Sequence, residues 1–205
     1  MPLANAVVSA LLQVAVLGAV PSLLYWVYHR IRFRRSLKEV AGRLGLVVGQ
    51  PQYIFYALLA VVALVIVTVV GLRATFETFV REGLAQRQFA GVGITVETVV
   101  AALLWGGLQT GFSEELLFRG LIAGSLARRL PLLWANVVQA LVFSLVHLPI
   151  LFVAPELWGF LAAVFAVALF MGWLRIQSGS ILGPWLLHAG LNVTAALLSA
   201  TQGGL

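Results

Sequence analysis

The sequence predicts an all-α, polytopic transmembrane helical bundle of about six to seven spans. Three observations carry that prediction. Of 205 residues, 61% are hydrophobic and only 10% are charged, where a soluble domain averages about a quarter charged residues. The apolar residues gather into runs of roughly 20, the length at which a helix crosses the hydrocarbon core. Aromatic residues suited to the membrane–water interface close these runs: Tyr25, Trp26 and Tyr28 end the first, and Trp134 opens the fourth. The high pI does not point to nucleic acid, because so greasy a surface would not stay in water; no nucleic-acid partner is expected. With no cysteine there are no disulfides.

The first run covers residues 3–28. No positive charge precedes it and it exceeds a signal-peptide core of about 7–15 residues, so it reads as a retained first helix. Further runs lie at 52–72, 94–127, 132–153, 156–176 and 181–200. Residues 1–93 then hold two N-terminal helices, a basic loop and a second loop. Residues 94–205 hold the remaining spans.

Arg30, Arg32, Arg34, Arg35, Lys38 and Arg43 crowd the first loop, with His29 at its edge. By the positive-inside rule this loop is cytoplasmic. Six crossings place Arg128, Arg129 and Arg175 on the same side, with both termini outside. The loop at 73–93 is external, its Arg73, Arg81 and Arg87 offset by Glu77 and Glu82. The basic run sets topology and is also of the kind that binds anionic headgroups. The expected setting is a prokaryotic plasma membrane.

The third run is too long for a simple span. As one helix its 34 residues measure about 51 Å against a core of roughly 30 Å. It must tilt, protrude or break near Gly106-Gly107 or Gly111. A break would invert everything that follows. Gly107/Gly111 and Gly120/Gly124 have the spacing of close helix packing.

Glu114, Glu115 and Arg119 lie deep in this run, and ionisable groups in hydrocarbon are a functional-site hypothesis by default. Glu115 and Arg119 are i and i+4, the spacing of an internal ion pair. That leaves Glu114 without a local partner. His147 and His188 also sit in apolar surroundings, the latter with Asn192 one turn on. Each i,i+4 pair projects from one helix face, so three helices could bring these groups to one pocket.

Glu114-Glu115-Leu116-Leu117-Phe118-Arg119 resembles the EExxxR motif of the CPBP family, the CAAX-protease and bacteriocin-processing enzymes also called Abi. Phe143 to His147 resembles that family's FxxxH motif and His188 to Asn192 its HxxxN motif, in the family's order. The resemblance covers about 94–200 and implies an intramembrane endopeptidase that cleaves a membrane-embedded protein or peptide with glutamate-activated water. It implies that Glu114 is the general base, that His147 positions the water, and that His188 and Asn192 stabilise the oxyanion. Arg119 with Glu115 would organise the site, and Phe143 would pack beside the substrate. It further implies that prokaryotic substrates are generally not prenylated.

Three readings compete. Glu114, His147 and His188 match the donor set of a hydrolytic zinc site, although not at HExxH spacing; the resemblance favours no metal. A non-catalytic adaptor or bacteriocin-immunity protein would keep the fold, but typically loses motif residues, and all three motifs are intact here. A proton-coupled transporter would usually show similar halves, which this sequence lacks. One difficulty is geometric. Counted from the cytoplasmic ends, Glu114 and His147 lie ~18–20 Å deep and His188 only about 10 Å.

Overall fold

The computed structural model describes residues 3–71 and 76–202, and among them it contains helices and turns but no strand. Helix α1 runs from Leu3 to Phe33. Pro21 lacks the N–H that an α-helix needs, and a wider π-helical stretch, Val14–Ala19, lies just before it. The helix continues past the expected end at residue 28, so Arg30 and Arg32 are in its last turn rather than in a loop. Cations there face the negative end of the helix dipole. Arg34 closes the helix in the left-handed conformation (φ 57°), its N–H donating to the carbonyl of Arg30.

A short helix α2, Leu37–Arg43, follows behind a capping box in which Ser36 and Glu39 satisfy each other's backbone N–H groups. Helix α3 spans Pro51–Val70. Arg73 and residue 72 of the expected second span lie outside the described residues, as does the side chain of Glu77; Arg81 pairs with Glu156 at 2.6 Å.

The third run does not break. Residues 96–126 form one helix, α4, in which α-helical Val96–Ala102, Ser113–Glu115 and Gly124–Leu126 alternate with π-helical Leu103–Phe112 and Leu116–Ala123. Thr95 caps its start by accepting from the Thr98 N–H. The excess length is therefore taken up without a hairpin, and the chain does not reverse within this segment.

Helix α5, Leu132–Leu145, ends in a turn before a last helical segment, Ile150–Val153. Helices α6, Trp158–Ser178, and α7, Leu182–Thr201, complete the bundle. Leu3–Phe33, Pro51–Val70, Leu132–Val153 and Pro155–Ser178 are each long and apolar enough to cross a bilayer, as expected of an integral membrane protein. Helices α4 and α7 carry the polar residues and lie inside, α7 packing on the 103–112 stretch of α4 and on α3. Helices α1 and α3 instead present Leu11, Leu24, Ile66 and Val70 outwards.

The expected small-residue contacts are redistributed. A Cβ on Gly106 would meet the Val193 backbone nitrogen at 2.7 Å, and one on Gly111 would lie 3.4 Å from Ala189 Cα. A Cβ on Gly107 would meet nothing within 4 Å, so that glycine is not the close-packing position; its carbonyl accepts from Trp185 Nε1 at 2.7 Å. Gly120 fits against the carbonyl of Leu44, and Gly124 against Arg175 and the carbonyl of Arg43.

The ends of the bundle differ in charge. Arg43, Arg128 and Arg175 meet at one end. At the other, Ala6 of α1 packs with Phe89, Ala101 and Ala196, and Gly93 N–H donates to the carbonyl of Ala200. The first and last described helices thus have their outer ends, near Ala6 and Ala200, away from the basic end. Arg119 is not the sole buried base, because Arg175 is 6% exposed. Its Nε donates to the carbonyl of Arg119 and its Nη2 to that of Arg43.

Candidate active site

Glu114, His147, His188 and Asn192 line one cavity of about 420 Å³. Three helices deliver them: α4 brings Glu114, the turn after α5 brings His147, and one face of α7 brings His188 and Asn192. Leu84–Gln86, Pro149 and Val153 line its other end. The cavity therefore lies toward the end of the bundle that holds Ala6 and Ala200, away from the basic cluster.

His188 reaches the level of Glu114, its Nε2 lying 4.0 Å from Glu114 Oε2. The depth mismatch inferred from the sequence is absent because α7 does not start at the membrane surface. Ser180 is 1% and Ile181 4% exposed. The Ile181 N–H donates to the carbonyl of Gly45 and the Ser180 hydroxyl to that of Val47. The loop after α2 folds over the start of α7 and sets it inside the protein.

Beneath the cavity is a buried charge cluster. Glu115 and Arg119 are both fully buried and form the expected i,i+4 pair, Nη1 to Oε1 at 2.9 Å. The same Oε1 accepts from His188 Nδ1 at 2.8 Å, a contact across 73 positions that helical spacing does not reveal. A carboxylate accepts only, so this bond assigns the proton to Nδ1 and turns Nε2 toward Glu114. Arg119 also reaches Met171 Sδ at 3.8 Å, and its guanidinium lies 4.1 Å from the centre of the Phe143 ring.

Phe143 is not among the residues that line the cavity. It is 5% exposed and packs under the site, 4.7 Å from the His147 ring centre and 5.9 Å from that of His188. The attraction between the buried guanidinium and the ring face holds it there. His147 Nδ1 donates to the carbonyl of Phe143 at 2.8 Å, so its Nε2 carries the free lone pair in the neutral ring.

Asn192 Nδ2 donates to the hydroxyl of Thr110 at 2.8 Å, which in turn donates to the carbonyl of Trp105 at 2.9 Å. Thr110 and Trp105 also line the cavity and were not singled out from the sequence. The available signal was position: Thr110 precedes Glu114 by one turn. His29, by contrast, is far from this site, its Nδ1 donating to the carbonyl of Tyr25.

For the zinc alternative, no three His, Asp or Glu side chains among the described residues are grouped closely enough to hold a metal ion. Both histidines have Nδ1 in a hydrogen bond, His147 to the Phe143 carbonyl and His188 to Glu115, which leaves Nε2 of each unbonded.

A family model described as Type II CAAX prenyl endopeptidase Rce1-like matches residues 95–194. All three motifs fall within the matched segment. Neither a curated protein nor a solved structure matches the chain.

Proposed function

Since residues 95–194 match the family model described as Type II CAAX prenyl endopeptidase Rce1-like, we propose that this protein is an intramembrane endopeptidase in which Glu114 activates the attacking water without a metal. The observation that carries the reading is the cavity itself: one carboxylate, two imidazoles and an amide line it together, over a buried ion pair.

Water bound between Glu114 and His147 gives a proton to the Glu114 carboxylate while its other hydrogen bonds to His147 Nε2. The hydroxide adds to the scissile carbonyl carbon, and the carbonyl oxygen takes the negative charge. Asn192 has a second amide hydrogen beyond the one given to Thr110, and this hydrogen is available to the oxyanion. His188 donates from Nε2 only when its ring is protonated, and the Glu115 carboxylate at Nδ1 is the partner an imidazolium needs. On collapse, Glu114 returns its proton to the leaving amine. The cavity lies toward the end away from the basic cluster, so the substrate is a membrane protein or peptide whose scissile bond enters from that side. With the basic end cytoplasmic, this is the outer face.

The test is cleavage of a quenched fluorogenic transmembrane peptide library by protein purified in micelles, with thermal unfolding measured alongside. Glu114→Gln and His147→Ala are expected to keep wild-type unfolding midpoints and to lose roughly 10²–10⁴-fold in rate. Full rates in both variants would remove Glu114 and His147 from the reaction, and a cellular phenotype retained by both stable variants would leave an adaptor or immunity protein as the better reading. Activity lost to a chelator and restored by zinc would overturn the metal-free step.

A further inference from the structure

The first loop, α2, the 127–131 turn and the end of α6 border a second, open cavity of about 460 Å³ at the basic end of the bundle. Arg35, Arg43, Arg128 and Arg175 line it, with Glu39 as the one carboxylate. Glu39 is already engaged: the Ser36 N–H and hydroxyl donate to it at 2.7 and 2.8 Å. Among the described residues none of the four arginines forms an ion pair. Like charges this close repel, so something must hold them together.

The structure holds them with neutral groups. The Tyr25 hydroxyl accepts from Arg43 Nε at 3.1 Å and from Arg128 Nη2 at 2.8 Å. Arg175 is bonded to two backbone carbonyls and lies against two glycines. A Cβ on Gly45 would sit 2.8 Å from its Nε, and one on Gly124 would sit 3.0 Å from its Nη2. Burial, and beyond it the Arg43 and Arg35 charges, pulls the Arg128 guanidinium below its ordinary value, a cost that a bound anion would relieve. The surroundings are those of a lipid headgroup. Tyr25, Trp26 and Tyr28 mark the interface on α1, and Ile31 and Leu37, on either side of Arg35 in the chain, are 77% and 66% exposed.

We propose that this cavity is a built site for the headgroup of an anionic phospholipid, its phosphate taken by the guanidiniums of Arg43 and Arg128 and its acyl chains lying along Ile31 and Leu37. Guanidinium forks suit phosphate oxygens geometrically. The site is separate from the hydrolytic cavity and does not depend on the chemistry proposed there.

Native mass spectrometry of the intact protein in detergent tests it, with phosphatidylglycerol, phosphatidylcholine and inorganic phosphate as probes. One phosphatidylglycerol is expected to be retained in preference to phosphatidylcholine and not displaced by millimolar phosphate. Arg128→Gln is expected to weaken retention roughly tenfold, whereas Arg30→Gln with Arg32→Gln, outside the cavity, leaves it within about twofold. Equal retention of both lipids, or equal loss in both sets of variants, would overturn the built site in favour of diffuse attraction. Displacement by inorganic phosphate would overturn the lipid assignment. If Arg128→Gln fails to fold, Arg128→Lys keeps the charge but not the fork; severalfold weaker retention supports the site, and unchanged retention counts against it.

Discussion

Glu115→Gln isolates the charge at the centre of the bundle. The amide oxygen can still accept from both Arg119 and His188, now at 2.9 and 2.8 Å from Oε1, so the substitution removes a charge and little else. What remains is a fully buried guanidinium whose direct contacts are a thioether at 3.8 Å and a ring face at 4.1 Å, with the Glu114 carboxylate acting on it only at longer range. Neither neutralises it. Removing one partner of a buried pair costs ~3–5 kcal/mol, which for a chain of this size lowers the unfolding midpoint by about 6–20 °C at roughly 2–4 °C per kcal/mol. The double variant Glu115→Gln/Arg119→Gln leaves no uncompensated charge and is expected to recover more than half of that loss. Thermal unfolding in micelles, followed by intrinsic tryptophan fluorescence, reads both. A single variant within about 2 °C of wild type, or a double variant no more stable than the single, would refute the claim that Glu115 is the counter-charge of Arg119.

Three further outcomes follow from particular contacts. Gly106→Ala places a methyl 2.7 Å from the Val193 backbone nitrogen, where only backbone movement relieves it; a loss of ~1–3 kcal/mol is expected, together with reduced peptide cleavage as α7 shifts. Thr110→Val removes the acceptor of Asn192 Nδ2 at nearly constant volume; kcat should fall by roughly tenfold with KM unchanged, and an unaltered kcat would remove Thr110 from the site. The Glu39 carboxyl is held below its ordinary value, first by the Ser36 backbone N–H and then by its hydroxyl. The folded value is the lower one, so the cap is intact at and above the ordinary carboxylate range and is lost as pH falls through the folded value. Protection of the α2 amides, taken relative to the intrinsic exchange rate at each pH, should therefore fall in acid for wild type, and be low at all pH values in Ser36→Ala.

What the sequence made legible was whatever depends on local spacing. Glu115 and Arg119 are one turn apart, and a helix alone brings them together. The helical ranges were readable for the same reason, since a run of apolar residues sets its own length. The His188–Glu115 bond was not readable, because its partners are 73 positions apart and meet only if α4 and α7 approach at Gly106 and Gly111. The starting depth of α7 was hidden for a related reason. Hydropathy marks Ile181 as a span's beginning, but the hydrogen bonds from Ile181 and Ser180 to the loop at Gly45 and Val47 bury that beginning within the protein. The π-helical character of α4 has no composition signal at all; its consequence is that 96–126 stays one helix where length alone suggested a break.

These long-range contacts form one connected series. Arg175 donates to the carbonyls of Arg43 and Arg119, Arg119 donates to Glu115, Glu115 accepts from His188, and His188 faces Glu114. The loop after α2, α6, α4 and α7 thus share polar links that are buried or partly buried. In a bundle whose helices meet lipid as readily as each other, apolar contact alone selects no single arrangement, whereas a misplaced helix here would leave a guanidinium or a carboxylate unpaired in a medium where that is costly. The buried charges therefore select one helix arrangement and thereby place the hydrolytic groups: His188 faces Glu114 while its other nitrogen is on Glu115, and Glu115 in turn is held by Arg119. Arg175→Met tests the far end of this series. It removes two hydrogen bonds some distance from the cavity, so a purely local role predicts lost stability with normal cleavage by the folded fraction. A role in setting the register of α4 against α6 predicts a lower kcat per folded molecule as well, and a normal kcat would confine Arg175 to holding the basic end together.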